Sequence, residues 1–272
     1  TTAASATAHP HYDPGMCGRF TFNLTWRQVH ALLDIHRTRT EADVDRDAEW
    51  KDMFPDFRWP NFNTAPTQSS LVVRMDGDQR SIELAKWGFV PSWAKSPTDG
   101  FAPINATSEK ITSSPMFRAS WRSNRCVVPV SGFYEWQAIE GSKTKQPWYI
   151  HRADGQPLLF GGLWSLWAKD GQQLETFTIA TCPPNAFMAR LHTRMPVVLE
   201  PETVDGWLRG KPGDAEALVL CLGCMTCHEL ANVPDAISAA QVAHVAAVRE
   251  HGADPLWTSD ENDAAAAAEE AN

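Results

Sequence analysis

This chain has no excess of positive charge, no cysteine framework, no long apolar run and no internal repeat. Each absence closes off a class. With 24 Lys and Arg against 33 Asp and Glu, the formal net charge is −9, so there is no global basic field. The six cysteines, at 17, 126, 182, 221, 224 and 227, are unevenly spaced. A chain of 272 residues does not need them as staples, and they indicate a reducing compartment. The first residues lack a basic stretch followed by an apolar one, so no secretory signal is evident in them. The longest apolar stretch, around Ala217 to Met225, falls short of the roughly 20 residues that a membrane-crossing helix needs. No membrane partner is expected, and the expected location is the cytoplasm.

The acidity is local. Residues 201–272 hold 13 Asp and Glu against 3 Lys and Arg, a net of −10, whereas residues 1–200 are near neutral at +1. The main body is therefore free to carry a local basic groove. A hydrophobic fraction of 43% with 10% aromatics is ample for a buried core. Twelve tryptophans are many, and some are expected on a surface.

Three segments follow from composition. Residues 1–16 are rich in Ala, Thr, His and Pro and read as a leader or disordered extension, a candidate for removal. Residues 17–210 read as one domain, the catalytic one in the resemblance drawn below, and residues 211–272 as a divergent acidic segment, disordered in its Ala/Glu-rich end at 260–272. Within the domain, Phe20 and Phe22 alternate with polar residues as in a short strand. Thr25 followed by Gln28 is a capping box, and Val29, Leu32, Leu33 and His36 continue at helical spacing. Residues 37–60 are charge-rich and read as an exposed insertion.

From Ser69 onward short β-like runs take over. They are Leu71 to Val73, Ile82 to Trp87, Cys126 to Val130, Trp148 to Ile150, Leu158 to Leu163, Phe177 to Thr181 and Pro196 to Leu199. Asp154-Gly155 is a turn signal between two of them and predicts a hairpin. Pro201 to Leu208 predicts a short helix closed by Gly210. Strands predominate without βαβ alternation. The expected fold is α+β: a mostly antiparallel, curved sheet or barrel-like core with a few peripheral helices.

Four polar residues stand beside turn-rich, strand-like segments: Cys17 in Met-Cys-Gly-Arg-Phe, Asn105 in Pro-Ile-Asn-Ala, Glu135 in Gly-Phe-Tyr-Glu-Trp and His192 in Leu-His-Thr-Arg-Met-Pro. Singly, each has an ordinary reading. A lone Cys is most often a small buried hydrophobe, and Asn105 a turn former. Glu135 reads equally as a paired carboxylate and His192 as a capped loop histidine. Together with Phe62-Asn63-Thr64-Ala65-Pro66, Trp87-Gly88, Glu109, Lys145-Gln146-Pro147 and Ala153-Asp154-Gly155, they make the chain resemble the SOS-response-associated peptidase family of abasic-site-processing proteins. The resemblance runs from Cys17 to about Leu208.

The resemblance implies a fold of that type, an active site of Cys17, Asn105, Glu135 and His192, and single-stranded DNA containing abasic sites as partner. It implies that the α-amine and thiol of an N-terminal Cys17 attack the ring-opened sugar aldehyde and leave a thiazolidine crosslink, with weak lyase activity through the imine. A nucleoid-associated location follows if the source is bacterial. The chemistry suits these residues. A free α-amine, with an ordinary pKa near 8, is partly neutral at pH 7, and the thiol needs a base nearby. Glu135 between Tyr134 and Trp136 is set for general acid/base work, His192 for moving a proton to the sugar ring oxygen, and Asn105 for holding the amine or a sugar hydroxyl in line. DNA contacts are expected from Arg19 and Arg194, with Trp87, Phe89 and Trp93 as stacking faces. The basic run of Lys110, Arg118, Arg122 and Arg125 is expected to line the groove. No cofactor and no metal are called for, and a monomer is expected.

The pattern departs from the family in places. Thr107 stands where an arginine that touches phosphate is usual, and Pro115 where another arginine is common. After residue 210 the family's closing segment is not recognisable. Cys221, Cys224, Cys227 and His228 stand there instead, and an unliganded cysteine cluster is the favoured reading over zinc or haem. Two other functions stay open: a thiol autopeptidase that cleaves its own leader, and a non-catalytic module that binds single-stranded DNA or metal.

Overall fold

The computed structural model of the protein describes residues 18–35, 37–38, 53–98, 100, 102–138, 141, 145–152, 154–215 and 230–232. The leader, Cys17, the cluster at 221–228 and the tail at 260–272 lie outside the described residues.

β1 (Arg19–Phe22) buries Phe20 and Phe22, as their alternation predicts. α1 (Trp26–Leu33) follows. The Thr25 side chain accepts from the Gln28 backbone N–H, and the Gln28 side chain accepts from the Thr25 backbone N–H. This reciprocal box satisfies two orphan donors of the first turn. β2 (Arg37–Thr38) and β3 (Asn61–Thr64) come next. For residues 53–60 the structure corrects the reading of an exposed insertion: Met53, Phe54 and Phe57 are buried in the core. Phe57 meets Phe22 edge to face at 5.3 Å, so the apolar residues of that stretch outweigh its charges.

β4 (Ser69–Asp76) and β5 (Gln79–Trp87) form a hairpin. Then come β6 (Asn105–Thr107), α2 (Ser108–Ile111), α3 (Arg118–Ser123), β7 (Arg125–Val130), β8 (Gly132–Ala138) and β9 (Lys145–Arg152). β10 (Leu158–Lys169) and β11 (Gln172–Cys182) are joined by a two-residue turn whose Asp170 and Gly171 both have positive φ, 51° and 77°. That geometry matches the twist of the strands it connects. A short 3₁₀ turn (Met188–Arg190), β12 (Met195–Pro196), β13 (Val198–Leu199), a second 3₁₀ turn (Pro201–Thr203), α4 (Val204–Arg209) and β14 (Leu230–Asn232) complete the described chain. The predicted helix near 201–208 is thus a 3₁₀ turn running into α4, with Gly210 at its C-cap.

Two sheets result. In the larger, β4 pairs with β5 and β7, β7 with β10, and β10 with β11. β11 then pairs in parallel with β5 through Phe177 and Trp87. This closes β4, β5, β11, β10 and β7 into a five-stranded barrel. The smaller sheet is open, in the order β14, β9, β8, β1, β3. The fold is α+β, mostly antiparallel strands with a few short helices. The hairpin predicted at Asp154-Gly155 does not form. A turn is present, with the Gly155 N–H bonded to the Arg152 carbonyl. However, β9 belongs to the open sheet and β10 to the barrel, so the turn hands the chain from one sheet to the other.

The core lies inside the barrel and between it and the open sheet. Trp87 and Phe177 stack with ring centroids 6.2 Å apart, and Phe20 reaches within 5.0 Å of Trp87. Phe133 of β8 meets Phe160 of β10 edge to face at 5.5 Å. Gly161 allows a close approach on β10: a Cβ there would sit 2.9 Å from the Trp207 ring. That ring, fully buried, donates its indole N–H to the Cys126 carbonyl at 2.8 Å.

Candidate functional site

β11 is the strand that gathers the candidate residues. β6 lies along it in parallel, with Asn105 opposite Ile179 and Thr107 opposite Thr181. β12 lies antiparallel to it, with Pro196 opposite the same Thr181. Asn105 is therefore brought to β11 by β6, and His192 by the loop that enters β12. The His192 loop is held by its own backbone, since the His192 N–H donates to the Met188 carbonyl at 2.8 Å. The backbone N–H of Arg194 donates to Nδ1 of His192 at 3.2 Å.

Glu135 arrives from the open sheet. It sits on β8 opposite Trp148 and is only 2% exposed. Alternation puts it on the same face of β8 as Phe133, which packs into the core, and Gln137. Gln137 ties this face to the His192 loop: its Nε2 donates to the Arg190 carbonyl at 2.6 Å. The indole N–H of Trp148, a donor only, occupies the Gln137 Oε1 at 2.9 Å and so fixes which way the amide points. Asn105, Glu135 and His192 thus stand on three segments that converge at one junction between barrel and open sheet. Gln137 was missed by sequence reasoning. An exposed-looking Gln after an aromatic run carries no signal until its partner 53 residues away is known.

Cys17 lies outside the described residues. Arg19, two positions on, is half-buried and pairs with Tyr134, the neighbour of Glu135. Its Nη1 donates to Asn63 Oδ1 at 2.9 Å, and the Tyr134 hydroxyl donates to the Phe62 carbonyl at 3.2 Å. The Phe62-Asn63 motif therefore braces β1 against β3 and β8. Burial pushes the Tyr134 hydroxyl well above its ordinary pKa, which keeps it a neutral donor.

Three expectations for DNA-facing residues are corrected. Trp87 is 0% exposed, stacked on Phe177, with its indole N–H on the Ile104 carbonyl at 3.0 Å. No ring face is left for a base. Phe89 is likewise buried, against Phe117. Arg125 is buried too, its guanidinium donating to the carbonyls of Trp121, Trp207 and Gly210. Desolvation lowers its pKa, which the Asp214 charge partly offsets. Trp93 is 64% exposed, and Lys110, Arg118 and Arg122 are exposed as well. Arg194 is half-buried and engages both oxygens of Glu109, at 2.5 and 2.9 Å.

A family model described as SOS response associated peptidase (SRAP) matches residues 16–242. The chain belongs to the SRAP family. The match continues past Leu208, where the recognisable motifs end, and takes in β14, which adds to the edge of β9. Relatives of this SRAP chain include "Abasic site processing protein YoaM" of Bacillus subtilis, 36% identical over 72% of this chain and 80% of that protein. "Abasic site processing protein YedK" of Escherichia coli is 31% identical over 80% and 91%. "Abasic site processing protein HMCES" of Pongo abelii is 30% identical over 75% and 68%. Among solved structures, a protein from Bacteroides thetaiotaomicron superposes with a TM-score of 0.64 at 20% identity, covering 79% of this chain and 90% of that one. That likeness shows a shared fold.

Proposed function

We propose that this chain processes abasic sites in single-stranded DNA, with Cys17 as the first residue of the working form. Its α-amine adds to the C1′ aldehyde of the open sugar to give a carbinolamine, which loses water to become an imine. The Cys17 sulfur then adds to the imine carbon and closes a thiazolidine, so aldehyde and aminothiol yield ring plus one water. Glu135 exchanges protons in the dehydration, His192 faces the sugar ring oxygen, and Asn105 holds the amine or a sugar hydroxyl in line. From the imine, loss of a C2′ proton expels the 3′ phosphate, which gives a weak lyase side activity. The observation that carries this reading is the convergence of the Asn105, Glu135 and His192 segments at one junction, in a chain whose relatives are named abasic site processing proteins.

DNA binding in this reading draws on Arg19 opposite Tyr134, on Trp93 as a stacking face, and on the exposed Lys110, Arg118 and Arg122. Thr107 contributes no charge at β6, so the salt dependence of binding is shallow for a DNA-processing domain. The test is a denaturing gel of the chain beginning at Cys17 with single-stranded DNA bearing one abasic site. A shifted band that disappears in Cys17→Ala is expected. Absence of a band in the wild type, or its persistence in Cys17→Ala, sinks the reading.

The sixteen residues that precede Cys17 in this chain favour a companion reading, in which Cys17 removes its own leader and so exposes its amine. Intact mass decides it. A leader that persists in wild type and Cys17→Ser alike excludes self-cleavage.

A further inference from the structure

Most of the ordered arginines of this chain are met by a carboxylate. Arg74, Arg80, Arg152, Arg194 and Arg209 each have an Asp or Glu oxygen between 2.5 and 3.8 Å away. Half-buried Arg19 is held differently. Among the described residues no carboxylate pairs with it, and its Nη1 donates to the side-chain oxygen of Asn63 at 2.9 Å. The two kinds of hold are chemically distinct. A carboxylate fixes a guanidinium and cancels its charge, whereas an amide oxygen fixes it and leaves the charge whole. A guanidinium carries five N–H donors, and the bond to Asn63 uses one of them.

Asn63 is itself firmly held. It is 4% exposed, and the chain is pinned on both sides of it. The Phe62 carbonyl accepts from the Tyr134 hydroxyl at 3.2 Å, and the Asn63 backbone N–H donates to Asn61 Oδ1 at 3.0 Å. Just beyond, Ala65-Pro66-Thr67-Gln68 form a turn closed by the Gln68 N–H on the Ala65 carbonyl at 3.2 Å, and Gln68 Oε1 accepts from the Ala65 N–H at 2.9 Å. Two bonds of 2.8 Å tie this turn to the barrel: the Thr67 N–H to the Trp87 carbonyl, and the Trp87 N–H to the Gln68 carbonyl. The Trp87 indole in turn donates to the carbonyl of Ile104, the residue before Asn105. Asn63 therefore grips Arg19 from a frame that also carries the Asn105 segment. Arg19 alternates with the buried Phe20 and so projects from the other face of β1. We infer that Asn63 is a positioning residue, which aims the Arg19 guanidinium at a backbone phosphate of single-stranded DNA without neutralising it. The DNA part of this inference rests on the function proposed above.

Two measurements test this, and the first needs no DNA. It is ¹⁵N spectroscopy of the Arg19 guanidinium in the full chain, assigned by the signals lost in Arg19→Gln. Hindered rotation of the guanidinium is expected in the wild type and rapid averaging in Asn63→Ala. Asn63→Asp, nearly identical in shape, should hold the group at least as firmly as the wild type. Averaging in the wild type, or hindered rotation that survives in Asn63→Ala, overturns the positioning role. The second is equilibrium binding of undamaged single-stranded DNA to the chain beginning at Cys17, at several salt concentrations. Arg19→Gln should lower the slope of log affinity against log salt by about 0.7, the share of one phosphate contact on a single strand. Asn63→Asp should lower it by as much, because the new carboxylate cancels the Arg19 charge. Asn63→Ala keeps that charge and loses the aim. Its affinity should fall about threefold to tenfold, the cost of ordering one long side chain on binding, with the slope unchanged. In an Arg19→Gln background the same substitution should cost nothing more, since Asn63 acts through Arg19. An equal loss in both backgrounds marks Asn63 as scaffold and overturns the proposal, as does an Asn63→Asp protein that binds like the wild type or an Arg19→Gln protein with an unchanged slope. A wild type that binds DNA and forms no adduct with an abasic site counts against the proposed crosslinking reaction alone, because neither measurement reads an adduct.

Discussion

The barrel and the open sheet are built from the same kind of strand and use burial for opposite ends. Inside the barrel, Trp87, Phe160 and Phe177 are sealed from solvent, and charge that occurs there is paired within it. Arg74 lies 3.9 Å over the Trp164 ring, with Glu175 at 3.5 Å and Glu83 at 3.8 Å. In the open sheet the buried face of β8 includes a carboxylate, Glu135, beside Phe133. The other face carries Tyr134 and Tyr149, whose hydroxyls engage Phe62 and Thr21. The barrel therefore supplies rigidity, and the open sheet supplies polar groups held where an unsupported strand would let them move. β11 joins the two purposes: its middle closes the barrel at Phe177, and its end at Thr181 gathers Asn105 and the His192 loop.

The largest expected effect tests whether the barrel is scaffold. Trp87→Ala should cost about 3–5 kcal/mol of stability, the usual range for a buried aromatic. Trp93→Ala, at an exposed ring, should change stability by less than about 0.5 kcal/mol and weaken DNA binding instead. Urea denaturation and a binding titration on both variants read the contrast. A Trp87→Ala protein that stays as stable as wild type and loses DNA affinity would break it.

Next is the open sheet's own close packing. A Cβ at Gly132 would fall 2.5 Å from the Tyr149 ring, so Gly132→Ala must displace that ring and its bond to Thr21. Overpacking of this kind costs about 1–3 kcal/mol, visible as a lower denaturation midpoint. The double variant Gly132→Ala, Tyr149→Ala should recover part of the loss, because the clash is removed. No recovery would mean that the backbone rather than the ring is what Gly132 serves.

Much of the barrel was legible in the sequence, and much of the junction was not. Ile82 to Trp87 and Phe177 to Thr181 announce themselves as strands because short apolar runs bounded by Gly and Pro have few other uses. The Thr25–Gln28 box is a local device and could be read locally. The fate of a tryptophan is not local. Trp87 and Trp93 stand six residues apart, and only the pairing of β5 with β11 decides that the first is core. Arg194 illustrates the same limit: its position beside His192 suggests an anion, while its partner Glu109 lies 85 residues back. Asp154-Gly155 gave a correct turn and a wrong pairing, since a turn signal does not say which sheet the next strand joins.

A smaller effect concerns α1, the helix between β1 of the open sheet and β2 beside the barrel. Removing its N-cap by Thr25→Ala should cost about 1 kcal/mol, measured by thermal melting. The loss should be the same in a Trp93→Ala background, because the sites share no partner. Coupling between them would mean that the exposed ring and the cap belong to one cooperative surface.

The smallest effect lies in the acid range and compares one ion pair from each region. The Arg194 hydrogen bond holds Glu109 below its ordinary carboxylate pKa of 4.5. Arg152, followed by the Gln156 N–H, holds Asp154 down to about 2 from an ordinary 3.8. A lowered carboxylate contributes stability that is complete above its unfolded value and fades as pH falls through its folded value. The Asp154 contribution should therefore be intact above about pH 4 and vanish toward pH 2. That of Glu109 should begin to fade below 4.5. Both side chains are about half exposed, 52% for Glu109 and 49% for Asp154, so each pair is worth well under about 1 kcal/mol after screening. Melting temperatures of Glu109→Gln and Asp154→Asn across the acid range should converge on the wild type. Their other consequences should differ. Asp154→Asn loosens a surface turn and leaves crosslinking as it was, whereas Glu109→Gln slows it, because Glu109 holds Arg194 at the junction. Equal crosslinking in the two variants would mean that the pair at the junction is no more than the pair at the turn.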